Sequence, residues 1–301
     1  MDHLTLGTVQ FGLKYGINNK SGKPSLERSL EMLELAYQLG ISTFDTAFAY
    51  GDGEEILGRF IEKNGLKKKA RVISKLRPNI LDEETRDSKY NIVKWEIEKS
   101  LKKLNLDVLE GYLFHTPAYI YDDELVEALK RCKEEGLIKN FGVSIYEEKD
   151  ALYAAQHVSV DYIQIPYSIF DQRLDKTDFF TYAAKNNVKV FARSAFLQGL
   201  ILMESSEIPD HLSVAKKYLD QFDSIIKKHN YSRLEAAFLF SLCHKGIDCV
   251  VFGVDTADQL KQDFDIANMN QKDFSECLRE LRNNFFNIEK SIIFPSLWKK
   301  E

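Results

Sequence analysis

Residues 108–143 read VLEGYLFHTPAYIYDDELVEALKRCKEEGLIKNFGV. An apolar run at 108–114 comes first. A stretch at 123–135 with the 3.6-residue periodicity of an amphipathic helix follows, then a stop signal at Gly136 and a second apolar run at 140–143. The order is strand, helix, strand. Compact apolar runs of this kind suit strands covered on both faces, as in a parallel sheet.

The same unit recurs on both sides. Further strand candidates lie at 4–8, 43–46, 71–74, 161–165, 188–192 and 248–252. Helical periodicity fills 26–39, where Leu30, Leu33, Ala36 and Tyr37 share one stripe before Gly40, and also 92–104. Alternating strands and helices admit an open doubly wound sheet or a closed barrel. No Gly-x-Gly-x-x-Gly follows the first strand, which weakens the open dinucleotide-binding sheet. Regular units without a break in composition favour one α/β domain over 1–301, a (β/α)8 TIM barrel. Two segments exceed the repeat: a long loop after the seventh strand, 197–212, with Gly199 and Pro209, and an extra C-terminal helix and tail at 271–301. Long connections on barrels usually wall a site.

The 301 residues are 44% hydrophobic and 29% charged, with a net charge of -5, a globular composition. That balance gives no footprint for nucleic acid or an anionic membrane, and the Lys67–Lys69 run reads as a solvated link. No apolar stretch reaches the roughly 18 residues needed to span a bilayer. The acidic start Met1-Asp2 does not read as a signal peptide. Cys132, Cys243, Cys249 and Cys277 lack metal-ligand spacing, so free thiols and no metal are expected, in a cytoplasmic protein. The oligomeric state is not legible.

Active sites of such barrels sit at the carboxyl ends of the strands. The second, third and fourth ends present Asp45 and Tyr50, Lys75, and His115. A phenol is a poor acid at neutral pH, and a nearby ammonium lowers its pKa. Lys75 supplies that charge, Asp45 holds Lys75, Tyr50 protonates a carbonyl oxygen, and His115 orients it. Taken singly, each residue also reads as structural: a rim ion pair, a loop aromatic, a strand cap. There is no nucleophile elbow and no carboxylate pair for glycoside chemistry. A Schiff-base lyase or isomerase using Lys75, and a non-catalytic nicotinamide-binding subunit with a protein partner, are the rival readings.

The stretch Phe44-Asp45-Thr46-Ala47 through Tyr50-Gly51, with Glu54 and Leu57-Gly58, resembles the signature of the aldo-keto reductases. Lys75, His115, Gly136–Lys139, Phe141–Ser144, Gln164–Ser168, Gln198–Leu200 and Phe252-Gly253 continue the resemblance over nearly the whole chain. It implies reversible, nicotinamide-dependent reduction of a small carbonyl substrate, with NADP(H) favoured and NAD(H) as the alternative. By position it implies Gly7, Thr8, Val9 and Asp45 at the nicotinamide, and Ser144 and Gln164 on its carboxamide. Arg193 would lie beside the nicotinamide and Ser194 would also contact the cofactor; Phe196, Leu197, Gln198 and Gly199 would run along the pyrophosphate, and Gly253, Gln259, Gln262 and Asp263 would hold the adenosine half.

The chain departs from the family in several places. Ile145 replaces the usual Asn, and Arg193 the usual aromatic. Near Gly253 the customary basic residues are missing; Lys261 remains a candidate contact, and Asp255 would favour a 2′-hydroxyl if it faced the ribose. The substrate side is assigned to Phe48, Tyr50, Arg77, His115 and Arg173. Convergence of Arg77, Arg173 and Arg193 predicts a polar, anionic substrate such as a sugar derivative or keto acid.

Overall fold

The computed structural model describes residues 3–82 and 88–298. Met1, Asp2 and the last three residues of the expected tail lie outside the described residues. The strands are β1 (Leu4–Gly7), β2 (Thr43–Asp45), β3 (Arg71–Lys75), β4 (Gly111–Phe114), β5 (Phe141–Ser144), β6 (Tyr162–Pro166), β7 (Lys189–Arg193) and β8 (Cys249–Phe252). The helices are α1 (Val9–Gly12), α2 (Leu26–Gln38), α3 (Gly53–Lys63), α4 (Lys89–Leu104), α5 (Asp123–Glu134), α6 (Glu148–His157), α7 (Phe179–Lys185), α8 (Ala215–Lys228), α9 (Arg233–Leu242), α10 (Ala257–Ala267), α11 (Ser275–Asn284) and α12 (Lys290–Ile293).

All eight strands pair in parallel with their sequence neighbours, and β1 closes on β8 through Leu4↔Val250, Thr5↔Val251 and Leu6↔Phe252. The expected (β/α)8 barrel is the observed fold. Its lumen holds Ile73, Leu113, Tyr162, Phe191, Cys249 and Val251 as one buried cluster. Most other core residues form the second layer, between strands and helices.

Helix α5 shows why the sequence pattern was readable. Leu125, Val126, Ala128, Leu129 and Cys132 are buried along one stripe. The Asp122 carboxylate accepts from the N–H groups of Glu124 and Leu125 and caps the start. Gly136 then takes a φ of +77°, which an L side chain resists, and ends the element. Two boundaries differ from expectation by three residues, and the others by one at most. Strand β4 begins at Gly111, because Leu109 makes only an isolated bridge to Ile138 before the chain enters the barrel. Helix α4 begins earlier than expected because Ser88 caps it through the Asn91 N–H.

The long connection after β7 makes 3-10 turns at Leu197–Leu202, Ser205–Glu207 and Asp210–Leu212 and continues through α8 and α9 before β8. The tail folds back as α11, α12 and a last turn, and the Trp298 indole N–H donates to the Ile292 carbonyl. No helix among the described residues is long and apolar enough to cross a membrane.

Helices α3 and α4 approach closely at Gly58, where an added Cβ would lie 2.0 Å from the Lys103 carbonyl oxygen. Gly58→Ala should therefore destabilise the fold by about 1–3 kcal/mol through overpacking. Equilibrium urea unfolding reads this as a lower midpoint; an unchanged midpoint would mean the two helices tolerate separation.

Candidate active site

Strand β2 ends at Asp45 and strand β3 at Lys75, and their parallel register sets both at the carboxyl end of the barrel. Lys75 Nζ donates to both Asp45 oxygens at 2.8 and 2.7 Å and to the Thr46 carbonyl at 2.9 Å. Its fourth contact is the Tyr50 hydroxyl at 3.4 Å. The Lys75 side chain is 0% exposed and that of Asp45 5%. On the other side, Gln164 Nε2 donates to Asp45 Oδ1 at 2.7 Å, and Ser144 Oγ donates to Gln164 Oε1 at 3.1 Å. Thr8 Oγ1 donates to the Asp45 carbonyl at 3.1 Å. One polar chain thus links the ends of five strands through Asp45.

Burial lowers the Lys75 pKa, against the opposing pull of Asp45. Burial first, and the Asp45 charge second, push the Tyr50 phenol well above its usual value. This reverses the expectation that Lys75 would acidify Tyr50. The ammonium is neutralised by a carboxylate at 2.7 Å, so what Tyr50 meets is a buried ion pair rather than a bare cation. His115 packs edge-on to Tyr50 with ring centroids 5.9 Å apart. Burial, then Lys75, then Arg193, drive its pKa from 6.5 down to about 3, so the imidazole stays neutral.

Above this floor opens a cleft of about 1030 Å³. Asp45, Tyr50 and Arg193 line it at the barrel mouth, and it reaches outward to Asp255 and Asp263 beside α10 in the outer ring. One wall is the segment after β7, where Ser194, Leu197, Gln198 and Gly199 all have positive φ. Such backbone conformations cost of order 1–3 kcal/mol each at non-glycine residues and cluster at functional sites. The wall is tied to the loop after α1 by Ile17 N–H donating to the Gln198 carbonyl at 2.9 Å.

The positions expected from the sequence divide into three groups. Gly7, Val9, Ser194, Phe196, Gln198, Gly199, Gly253, Gln259, Gln262 and Asp263 line the cleft with Asp45, Tyr50 and Arg193. Thr8, Ser144, Gln164 and Leu197 are buried beneath the lining, the first three turned on Asp45 or its neighbours. The third group faces elsewhere. Arg77 pairs with Glu96 and stacks on Phe48, which Lys103 also covers. Arg173 is held by Asp171 and Glu148 and lies over Phe294 of the tail. The expected convergence of three arginines does not occur: acids on neighbouring elements claim two of them. Lys261 is exposed and outside the lining.

Two residues in or beside the cleft escaped the sequence reading. Tyr146, under the Arg193 guanidinium at 4.5 Å, lies just past the end of β5 and was reachable by strand-end logic. Gln10, whose Oε1 is buried without a partner, carries no sequence signal. An added Cβ at Gly253 would sit 2.3 Å from its amide. Among the described residues no cluster of His, Cys, Asp and Glu is set to hold a metal.

The aldo/keto reductase family model matches residues 3–279. The chain belongs to the aldo/keto reductase family. It is accordingly an NAD(P)-dependent oxidoreductase acting on carbonyl and alcohol groups. The aldo-keto reductase YhdN of Bacillus subtilis is 26% identical over 278 residues, 83% of this chain and 83% of that one. An NADH-specific methylglyoxal reductase of Escherichia coli is 20% identical over 273 residues, 81% of this chain and 83% of that one. A solved aldo-keto reductase from Bacillus halodurans, in its holo form, superposes with a TM-score of 0.75 at 20% identity, covering 97% of this chain and 95% of that one.

The reductase's cleft suits a nicotinamide cofactor. Its volume is at the top of the range for small-molecule sites, and buried acceptors without partners, Gln10 Oε1 and Asp263 Oδ1, line it. Burial lifts the Asp263 carboxyl to about 7.

The neutral His115 has a measurable consequence. Between about 6.5 and about 3, the unfolded chain binds a proton that the folded reductase refuses, so stability falls as pH falls through this window. His115→Gln should lose less stability than the parent between those limits in acid titrations of the unfolding free energy. Parallel curves, or an imidazole NMR titration near 6.5, would refute it.

Proposed function

We propose that the protein reduces an aldehyde or ketone, with Tyr50 as the general acid. One observation carries this reading: the Tyr50 hydroxyl faces the cleft within 3.4 Å of a fully buried Lys75 ammonium that Asp45 holds. The bound nicotinamide would supply the hydride. The raised pKa keeps Tyr50 in its proton-bearing form. As a carbonyl oxygen gains negative charge its basicity rises, and the phenol proton is at hand to neutralise it. Lys75 then stabilises the phenolate left behind until solvent returns the proton. The neutral His115, edge-on to Tyr50, donates a hydrogen bond to the same oxygen without adding charge. Ser144 and Gln164 would hold the carboxamide and keep Asp45 aimed. The 194–199 wall would flank the pyrophosphate.

Against a Schiff-base role, Lys75 is inaccessible and spends its donors on Asp45 and the Thr46 carbonyl. Against a non-catalytic subunit, binding alone requires no buried acid and base assembly under the phenol. One relative is named for NADH specificity. Membership therefore leaves the choice between NADP(H), which the resemblance favours, and NAD(H) to the residues beside α10.

The substrate is polar and anionic in this reading, now on Arg193 alone. Its guanidinium donates to the Ile145 carbonyl at 3.0 Å and to Ser194 Oγ at 3.2 Å and lies over Tyr146. Among the described residues no carboxylate pairs with it, and it lines the cleft beside Tyr50. A half-buried cation without an anion is costly and is satisfied by a ligand's carboxylate or phosphate.

Tyr50→Phe should lower kcat by about 10²–10⁴, the usual worth of a general acid, while cofactor affinity measured by fluorescence titration stays largely unchanged. Turnover of a confirmed carbonyl substrate at the parental rate would remove Tyr50 from the role.

Arg193→Ala should raise KM for an anionic carbonyl about tenfold or more, since a charged hydrogen bond is worth roughly 1.5–3 kcal/mol. Arg77→Ala should leave KM unchanged. Steady-state kinetics on a panel of 2-oxo acids, sugar phosphates and neutral aldehydes checks both; a preference for neutral aldehydes would reject the anionic substrate.

A further inference from the structure

Arg173 lies outside the cleft lining, yet its bonds lead back to the site. Its guanidinium joins the exits of two strands. On the β6 side Nε donates to Asp171 Oδ1 at 2.7 Å and Nη2 to Asp171 Oδ2 at 2.9 Å. Asp171 is itself fixed, because its N–H donates to the Ser168 hydroxyl at 3.2 Å. On the β5 side Nη1 donates to Glu148 Oε2 at 2.7 Å and Nη2 to the Tyr146 carbonyl at 3.0 Å. A planar guanidinium offers enough N–H donors, in one rigid fork, for all of these bonds; an ammonium lacks that plane.

The tail seals this arrangement. Phe294 covers the Arg173 guanidinium at 4.4 Å, and Lys290 on α12 donates to Glu147 at 2.8 Å. Glu147 also stands 3.8 Å from Arg173. Asp171, Glu148 and Glu147 thus neutralise a side chain that is only 12% exposed. Arg173 has no charge to spare for a ligand. What it supplies is the placement of the β5 exit.

Arg193 holds that same exit from the end of β7. It donates to the carbonyl of Ile145, the residue before Tyr146, at 3.0 Å, and its guanidinium lies 4.5 Å from the centre of the Tyr146 ring. The two arginines therefore bond successive carbonyls of one loop. No carboxylate among the described residues orients Arg193, and its other bond goes to Ser194 Oγ at 3.2 Å. Its aim depends on the backbone and the ring it rests on. Tyr146 is 40% exposed, too open for packing alone to fix it. Its carbonyl bond to Arg173 does so instead.

We propose that Arg173 is a positioning residue for substrate binding: by fixing Tyr146 and Glu148 it holds the loop on which Arg193 rests, and so keeps the Arg193 guanidinium aimed into the cleft beside Tyr50. The inference rests on the function proposed above, because it needs Arg193 to meet the substrate.

The test is Arg173→Lys, which keeps the charge among the acids but loses the fork, so that the Tyr146 carbonyl goes without its donor. KM for the preferred carbonyl should rise several-fold, in the same direction as in Arg193→Ala, with kcat little changed. Asp171→Asn, which loosens Arg173 from the β6 side, should give the same pattern, and thermal unfolding checks that each variant folds. A double-variant cycle separates positioning from a general structural role. In the Arg193→Ala background, Arg173→Lys should change KM by less than about twofold, because the residue through which it acts is gone. A crystal structure of Arg173→Lys gives a readout without turnover and should show the Arg193 guanidinium turned off the Ile145 carbonyl. An unchanged KM in both folded variants, additive effects in the cycle, or an Arg193 still bonded to Ile145 in the variant would overturn the inference. A displaced Arg193 in the variant of a protein that reduces no carbonyl would overturn the functional reading alone.

Discussion

The ion pair between Lys75 and Asp45 is the interaction on which the site depends. Both side chains are removed from water, and a pair in that setting rarely adds net stability, because desolvation offsets attraction. Breaking it is another matter: a lone buried charge costs about 3–5 kcal/mol. The barrel therefore commits to the pair and surrounds it. Parallel register brings β2 and β3 to the same height, Thr46 supplies a carbonyl, and Gln164 reaches across from β6 to the same carboxylate. Tyr50 inherits its position and electrostatics from this arrangement.

The cleft has opposite electrical character at its two ends. At the barrel mouth Arg193 presents a guanidinium whose charge reaches Tyr50, Lys75 and His115. Beside α10 the lining is acidic and rich in amides, and a Thr256–Gln259 capping box forms the helix start. A ligand that places negative charge near the mouth and hydrogen-bond donors at the outer end is complementary to both. The wall between them is backbone held in left-handed conformations at three non-glycine residues, with Gly199 following. Rigid packing against the loop at Ile17 holds it in that form.

Legibility tracked locality. Strand ends and helix stripes depend on residues near each other in the chain, so the eight units, the glycine stops and the four polar groups at three strand ends were readable. So was the insertion after β7, though not its two helices, since apolar periodicity alone does not say whether a long connection folds into turns or helices. The arginines show where locality stops. Arg77, Arg173 and Arg193 look alike by position, yet Glu96 on α4 and Asp171 with Glu148 claim the first two. Those partners lie 19, 2 and 25 positions away, and only the packing of helices against the barrel says which of the nearby acids point inward.

By itself the sequence determined the barrel, the identity of the four groups beneath the cleft and the family whose signature they carry, because each follows from a short-range pattern or an ordered motif. The tertiary structure decided how those groups are charged and which neighbours remain available. Tyr50 is raised rather than lowered because burial and a carboxylate outweigh an ammonium that is already paired. Asp263 Oδ1 is left without a donor among the described residues, because side-chain geometry assigned the local donors elsewhere. Burial and pairing are properties of three-dimensional neighbourhoods, and a linear pattern does not contain them.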